Sequence, residues 1–312
     1  ALISIFNPSN LDYMRTLTLF IYLFLIKVTL VAQLPESNIF QLEIKKDAQG
    51  NIKLQHLTLL TSLNTQGYNN HPHLAGDSLL FYSSAAKGAS HPDIYKLNTS
   101  SGKLVRFTDT KEGEYSAITM PNKRDIGVLR MEFWPKDTLQ RIWSLPLNGQ
   151  NQGKPLLANQ TNIGYFRWVS DQGVITFELG NPQTLWYRRL DETASVMITS
   201  LPGRCFRVTE NGELYYIQKA KPGEPSFIYR TKAIYSTESP KIPIIMPLNQ
   251  QEDFGILKDG TLIMAEGAKI YQFHPDKNAN WELLVDISNF PLKKITRMEI
   301  NDRENKLVLV AQ

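Results

Sequence analysis

His71 and His73 are the residues of this chain whose spacing most suggests metal chemistry. In a β-strand, side chains two residues apart point to the same face, so both imidazoles could reach one metal ion. His91 and Asp93 follow in the same sequence unit and could approach from a loop. No third ligand stands at a fixed spacing. We therefore predict no bound metal and no cofactor, and expect the two rings to form hydrogen bonds instead.

Nucleophilic catalysis has little support in the sequence. The chain has no Gly-x-Ser-x-Gly motif, which carries the nucleophile of α/β-hydrolases. Its one cysteine, Cys205, excludes both a disulfide within the chain and a Cys-x-x-Cys site. Cys205 lies in an apolar run and is expected to be a small buried residue. These observations favour a non-catalytic function.

Two larger sets of residues share a position in the sequence, because each member lies before or at the start of an apolar segment that recurs along the chain. The first set contains amide and carboxylate side chains: Asn69, Asn70, Glu114, Asn162, Glu252 and Asp253. The second set is aromatic and basic: Tyr68, Tyr115, Tyr165, Phe166, Arg167, Arg204 and Arg207. What either set can do depends on whether the recurring segments bring its members together.

The recurring segments have the pattern of β-strands. Short apolar runs alternate with polar positions and are separated by turns rich in Gly, Asp and Asn, which is the hairpin signal. Successive turns, counted from Asp77, lie 48, 47, 39, 48 and 45 residues apart. A period near 40 to 50 residues with four strands per unit is typical of a β-propeller. The sequence therefore predicts an all-β, six-bladed propeller of four-stranded antiparallel blades.

The sixth unit is divided between the two ends of the repeat. Residues 295–310 supply only two strands, and residues 39–58 contain two more that match the third and fourth strands of the other units. Pairing these segments in one sheet closes the ring and leaves no open strand edge at the seam. The Pro-rich run Pro240–Pro247 is expected to form an outer-edge strand or linker, since proline is tolerated at sheet edges. Glu132–Asp137 is predicted to be a long loop.

The first complete unit resembles a known repeat. Its segments His71–Ser84, Asp93–Leu97 and Gly102–Thr108 are similar to the WD40-like repeat of TolB-type β-propellers, in which a proline, a turn with Asp and an Asp-Ile-Tyr strand recur. The resemblance is most specific in residues 71–108. It covers the propeller and not the separate N-terminal domain of TolB. It implies a mostly periplasmic or exported protein that serves as a binding platform for proteins or peptides.

In such a ring, the segments before the innermost strands surround one end of the central channel. Tyr and Arg are enriched where proteins bind proteins. We therefore predict a protein- or peptide-binding site at this end of the channel. Its predicted residues are Tyr68, Asn70, His71, His73, Tyr115, Tyr165, Arg167, Arg204, Arg207 and Asp253.

Two alternatives remain open. The amide and carboxylate set could hold a divalent cation in the channel, as in six-bladed lactonase-type propellers, where the cation polarises a carbonyl group and activates water. Tyrosine and tryptophan also stack on sugars, so the same face could bind carbohydrate. Three or more acidic or amide side chains that converge on the channel axis would favour the hydrolase.

The N-terminal residues are typical of a signal for export. Arg15 precedes the apolar segment Leu17–Ile26, and Ala32 stands before a polar segment. This order describes a secretory signal peptide, predicted over residues 14–33 with cleavage near Ala32–Gln33. Residues 1–13 precede a plausible initiator Met14 and are interpreted as a non-native extension, and residues 34–312 as one propeller domain. The protein is then periplasmic or secreted in a bacterium, with no stable membrane span after cleavage.

Charge excludes one class of partner. The net charge is +4, acidic and basic residues are interspersed, and no run of five like charges occurs. A basic surface for nucleic acid is therefore not predicted. The expected ligand is a protein or a peptide.

Overall fold

The computed structural model describes residues 33–149, 153–221, 224–232, 235–236 and 238–312. Leu34–Gln312 forms one compact unit. Two short 3₁₀ turns, Ser62–Asn64 and Leu248–Gln250, accompany the strands. Within the described ranges, the strands in chain order are β1 (Asn38–Lys46), β2 (Ile52–Leu59), β3 (Tyr68–Ala75), β4 (Leu79–Ala85), β5 (Asp93–Asn98), β6 (Leu104–Arg106), β7 (Gly113–Thr119), β8 (Asp125–Trp134), β9 (Asp137–Pro146), β10 (Lys154–Leu156), β11 (Ile163–Ser170), β12 (Gly173–Glu178), β13 (Thr184–Arg189), β14 (Ser195–Ser200), β15 (Pro202–Val208), β16 (Leu214–Gln218), β17 (Phe227–Thr231), β18 (Ile242–Ile245), β19 (Phe254–Ile256), β20 (Leu262–Glu266), β21 (Lys269–Phe273), β22 (Glu282–Asp286), β23 (Ile295–Ile300) and β24 (Lys306–Ala311).

These strands form the predicted six-bladed propeller. In the described residues, β3–β6, β7–β10, β11–β14, β15–β18 and β19–β22 build blades one to five, each an antiparallel sheet in sequence order. The sixth blade has the order β2-β1-β24-β23, so the N-terminal strands pair with the C-terminal ones. Asn38 lies opposite Ala311 and Glu43 opposite Lys306. This confirms the ring closure that the split sixth unit predicted.

The core lies between neighbouring blades. The second strand of each blade is covered on both faces, and all six residues of β12 are buried. Phe177 and Tyr187 of the third blade, for example, pack in one cluster with Phe206 and Tyr216 of the fourth. Because both faces of a blade are buried, its central strands need continuous apolar runs rather than strict alternation. This requirement is the reason that the second strands were easy to find in the sequence.

The first strand of most blades contains a β-bulge. The pairing register shifts between Asn70 and His73 in β3, and between Tyr115 and Ile118 in β7. Similar shifts occur in β11, β15 and β23. At the first two bulges, His71 and Ser116 both have φ of 50°. Bulges redirect side chains, and those in β3, β7, β11, β15 and β23 fall where these strands line the central channel.

One sequence expectation was wrong. Residues 132–137 are not a long loop, because β8 and β9 continue as a hairpin until Trp134 pairs with Asp137. Glu132 is buried in this hairpin, where its carboxylate accepts hydrogen bonds from Arg141 and from the Trp143 indole. These partners satisfy a charged residue that would otherwise favour solvent. The Pro-rich run does contain an edge strand, β18.

The N-terminal predictions fall almost entirely outside the described residues. Residues 1–32 contain the predicted non-native extension and nearly all of the predicted signal peptide. None of the helical segments in the described ranges is long and apolar enough to cross a membrane.

Candidate binding site in the central channel

The channel opens into a cavity at the end where the first strands begin. This mouth cavity has a volume of about 490 Å³. Residues from the starts of β3, β7, β11, β15 and β23 surround it, and the β8–β9 hairpin closes one side. The side chains that matter below are Tyr68, Asn70, His71, Tyr115, Leu129, Met131, Gln140, Tyr165, Arg204, Lys294, Thr296 and Arg297.

Below the mouth cavity the channel narrows to a constriction with an internal volume of about 50 Å³. His71, Tyr165, Arg204 and Arg297 line both spaces, so the two are adjacent. Beyond the constriction lies a far cavity of about 470 Å³, formed where the first strands end. The channel therefore consists of two wide ends and a narrow middle.

Glu299 is the centre of the charged network in the constriction. Its carboxylate accepts a hydrogen bond from Arg167 at 2.9 Å, lies 3.3 Å from His73 Nδ1 and lies 3.8 Å from Arg207. Burial alone would raise the pKa of this carboxyl, but Arg167, the His73 hydrogen bond and Arg207 outweigh it and hold the pKa at about 2. Glu299 is therefore ionised at neutral pH.

Asp253 is the second carboxylate of the constriction. Its Oδ1 accepts a hydrogen bond from the Met298 backbone at 3.0 Å and lies 3.6 Å from Arg207. Arg297 is 3.9 Å from its other oxygen. Arg297 also donates to the Tyr165 hydroxyl at 3.2 Å and lies over that ring at 5.2 Å, a cation–π distance. Tyr165 thus fixes the position of a cation at the boundary of the mouth cavity.

Arg204 differs from the other channel arginines. Its Nη2 donates to the Thr296 carbonyl oxygen at 2.7 Å, but its Nε is buried and has no hydrogen-bond partner. Within the described part of the chain, no carboxylate lies within 4.0 Å of its guanidinium. Glu252, its near neighbour, accepts from the Arg204 backbone amide and pairs with Lys219 instead. The charge of Arg204 is therefore uncompensated by a direct contact.

His71 is held over the same space. The bulge in β3 gives it a left-handed backbone, and its ring makes edge contacts with Tyr115 and Tyr165 at centroid distances of 5.9 and 6.1 Å. Both ring nitrogens are enclosed and lack a hydrogen-bond partner among the described residues. Burial, together with Arg297, Arg204 and Arg167, holds the pKa of this imidazole well below its usual value. His71 is therefore neutral, with one N–H donor to offer.

The two ends of the channel differ in charge. Arg204, Lys294 and Arg297 line the mouth cavity, and no Asp or Glu of the described residues joins them. Six carboxylate residues line the far cavity together with four basic ones: Glu210, Glu213, Asp259, Glu299, Asp302 and Glu304, with Arg167, Arg207, Arg230 and Lys258. The mouth cavity is thus the end suited to an anionic group.

The structure brings most of the predicted site residues together. Tyr68, Asn70, His71, Tyr115, Tyr165 and Arg204 line the mouth cavity, and Arg167, Arg207 and Asp253 line the constriction. His73 lies beside the constriction, where its two ring nitrogens contact Glu299 and Thr119. Sequence reasoning missed Lys294, Arg297 and Glu299 of the sixth blade. The alternation of Arg297 and Glu299 with apolar residues in β23 was the available signal.

The structure gives the two histidines different surroundings, which bears on the idea that they share one metal ion. The bulge between Asn70 and His73 breaks the simple alternation on which that idea depended. His73 is engaged by Glu299 and Thr119, whereas the ring nitrogens of His71 have no partner. In the described ranges no group of three or more His, Cys, Asp or Glu is placed to hold a metal ion.

The amide and carboxylate set does not converge on the channel axis either. Asn69 donates to the Ser37 and Asn64 carbonyls, and Asn162 donates to the Leu179 carbonyl. Glu114 is buried in an ion pair with Arg130 at 2.7 Å. Of the six residues, Asn70 and Asp253 line the channel, at different depths. Cys205 is buried as expected, with its sulfur 3.4 Å from the Phe254 carbonyl oxygen.

Comparison with known proteins finds structures of similar fold, whereas the two sequence comparisons find no match. No protein-family model matches the chain, and no curated protein matches it in sequence. Its fold is similar to that of TolB from Acinetobacter baumannii, with a TM-score of 0.56 and 12% identity. The match covers 88% of this chain and 64% of TolB, so this chain spans less than two thirds of that protein.

Two enzymes share the fold at comparable distance. An oligogalacturonate lyase solved with manganese matches with a TM-score of 0.56 and 13% identity, over 86% of this chain and 82% of the lyase. A gluconolactonase from Xanthomonas campestris matches with a TM-score of 0.53 and 11% identity, over 86% of this chain and 94% of the enzyme. The similarity to all three is one of fold.

Proposed function

We propose that this protein binds a protein or peptide ligand at the face that carries the mouth cavity. The observation that supports this most is the composition of the cavity wall. Three tyrosines, Tyr68, Tyr115 and Tyr165, stand among three basic residues, and no Asp or Glu of the described residues lines the cavity. Tyrosine and arginine supply large contact areas and directed hydrogen bonds at protein interfaces.

The β8–β9 hairpin extends this surface beyond the cavity. Leu129 and Met131 of the hairpin line the mouth. Met131 pairs with Gly113 at the start of β7, so the residues after Met131 project past that face. The tip carries Phe133 and Trp134, which are 48% and 57% exposed. Tryptophan is among the residue types that most often anchor protein interfaces, so an exposed Trp on this projecting tip supports a binding role.

Location in the cell is part of the proposal. Residues 14–33 have the charged-then-apolar order of a signal peptide, which would deliver the propeller to the periplasm or to the outside of the cell. The fold similarity to TolB agrees with a binding role at that location. The ligand would then be a protein or peptide of the cell envelope or its surroundings.

The other functions have weaker support. A cation-dependent hydrolase needs several oxygen donors on one ion, and the six candidate residues are dispersed among separate partners. Carbohydrate binding has one favourable observation, because the mouth tyrosines could stack on sugars and the basic residues could bind an acidic sugar. The test must therefore include saccharides.

Selection from a displayed library of random linear peptides, with an array of neutral and acidic saccharides in parallel, tests the proposal. We expect peptides to be selected, and we expect Trp134→Ala to weaken their binding at least tenfold. Leu283→Ala, which removes an exposed apolar side chain from the outer strand β22, is the matched control and should leave binding unchanged. Binding of saccharides without peptides, or equal effects of the two variants, would refute the proposal.

A further inference from the structure

We propose that the mouth cavity contains a carboxylate subsite, in which a carboxylate of the ligand accepts hydrogen bonds from the Arg204 guanidinium and the His71 ring. This inference rests on the proposed function and narrows it, because it states which group of a peptide enters the channel. The carboxylate could belong to an acidic side chain or to a C-terminus. Both sources present the same group, and the experiment below separates them.

The first step of the argument is the unused bonding capacity of Arg204. A guanidinium has five N–H donors in a planar fork. The structure assigns one of them to the Thr296 carbonyl oxygen at 2.7 Å, and the buried Nε has no partner. Buried donors in folded proteins are nearly always paired, so an unpaired one that lines a cavity indicates a missing acceptor. A carboxylate matches the geometry of the fork.

The second step is His71, which lines the same cavity independently of Arg204. Both of its ring nitrogens are enclosed and unpaired. The ring is oriented by edge contacts with Tyr115 and Tyr165. Its backbone occupies the left-handed region at φ 50°, a conformation that costs free energy for a residue other than glycine and persists where the surroundings enforce it. A strained, unpaired imidazole on a cavity wall is more typical of a ligand contact than of a structural role.

The third step is charge. Arg167, Arg204, Arg207 and Arg297 line the constriction, whereas only Asp253 and Glu299 of the described residues oppose them there. Those two carboxylates are engaged with Arg167, Arg207 and Arg297. The positive charges of the constriction therefore outnumber the carboxylates by two, and Arg204, at the boundary with the mouth cavity, is the arginine that contacts neither of them. A ligand carboxylate at this position would neutralise it in a partly desolvated site, where ionic hydrogen bonds are strong.

The probes are three short peptides that differ in one group. The acetylated and amidated tripeptide Gly-Asp-Ala carries a side-chain carboxylate, its Gly-Asn-Ala analogue carries none, and acetylated Gly-Asn-Ala with a free C-terminus carries only the terminal carboxylate. Binding is followed by NMR through the chemical shifts of the His71 ring nitrogens. We expect at least one carboxylate peptide to bind ten times more tightly than the neutral peptide and to shift those signals. Which of the two does so identifies the source of the group.

Variants of the protein make the assignment specific. Arg204→Gln should abolish the preference for the carboxylate peptide, and Arg204→Lys should retain part of it. Lys258→Gln changes the charge equally but lies at the far cavity, so it should leave the preference intact. Thermal melting of each variant checks that the fold persists.

Equal binding of the carboxylate and neutral peptides by the unaltered protein would overturn the inference, even if a variant fails to fold. An equal loss of preference in Lys258→Gln and Arg204→Gln would also overturn it. If library-selected peptides still bind in a Trp134-dependent manner in either case, the proposed function stands without the subsite. If the library-selected peptides also fail to bind, both proposals fail.

Discussion

Arg204 in β15 and Thr296 in β23 are joined across an intervening blade: the arginine Nη2 donates to the threonine carbonyl oxygen at 2.7 Å, 92 residues away in sequence. Arg207 makes the same kind of bond to the Met298 carbonyl oxygen, also at 2.7 Å. The first strand between them, β19, has only three residues. Two arginines of the fourth blade therefore complete the channel wall where the fifth blade is short.

This bridging predicts that Arg207 is important for stability. Its side chain is 14% exposed and contacts the Met298 carbonyl, Asp253 and Glu299. We expect Arg207→Ala to lower the free energy of unfolding by about 3 kcal/mol, because it leaves two enclosed carboxylates without this partner. Urea denaturation measures the change. Arg189→Ala, which breaks an exposed ion pair with Asp191, should have little effect, and an equal loss in both variants would contradict the account.

A second prediction concerns acid stability. The pKa of Glu299 is held at about 2, below its unfolded value near 4.5, so the stability it contributes is present above pH 4.5 and is lost as the pH falls towards 2. A depression of this size corresponds to about 3 kcal/mol. We expect Glu299→Gln to be destabilised at pH 7, with the difference from the unaltered protein narrowing between pH 4.5 and 2. A constant difference in denaturation free energy across this range would show that the carboxylate charge is not responsible.

The third prediction separates stability from binding at His71. Because His71 has φ of 50° and two enclosed nitrogens without partners, we expect His71→Gly to raise the free energy of unfolding by about 1 kcal/mol. The same change should remove the preference for a carboxylate peptide. His71→Asn is the comparison variant, because asparagine also tolerates this backbone conformation. Its free energy of unfolding and its peptide preference are compared with those of His71→Gly. A glycine variant that is less stable than the unaltered protein would indicate that the imidazole serves the fold.

The fourth prediction concerns the hairpin tip. Trp134 is 57% exposed, so Trp134→Ala should change the melting temperature little while it weakens peptide binding. Leu309→Ala provides the opposite pattern, because Leu309 is fully buried in the cluster between the fifth and sixth blades. Its truncation should cost about 2 to 5 kcal/mol. If Trp134→Ala destabilises the protein to a similar degree, the tip has a structural role that its exposure does not indicate.

The sequence predicts the fold well because blade stacking leaves a clear pattern. Runs such as Gly173–Glu178 are buried on both faces, and turns such as Asp259–Gly260 interrupt them at regular intervals. The closure of the ring followed from counting strands at the two ends. Pairing of Ile39 with Val310 confirms it.

The site could be predicted only in part, because it depends on local irregularities. A bulge shifts the pairing register between Asn70 and His73, so simple strand alternation does not describe how His71 and His73 are placed. The hairpin to Trp134 was missed because Pro135 and Lys136 are typical of a loop, while the partners of Glu132 lie on the neighbouring strand. Arg297 was missed because its importance arises from Tyr165, which is 132 residues away.

The central claim is that the mouth cavity and the adjoining hairpin bind a peptide. Photo-crosslinking tests it most directly: a library-selected peptide that carries a diazirine group is irradiated on the protein, and the attached residues are identified by mass spectrometry. The account predicts attachment at the mouth, to Tyr68, Tyr115, Tyr165 or Trp134. Attachment confined to the far cavity around Glu210 and Lys258, or to the outer strands, would contradict it.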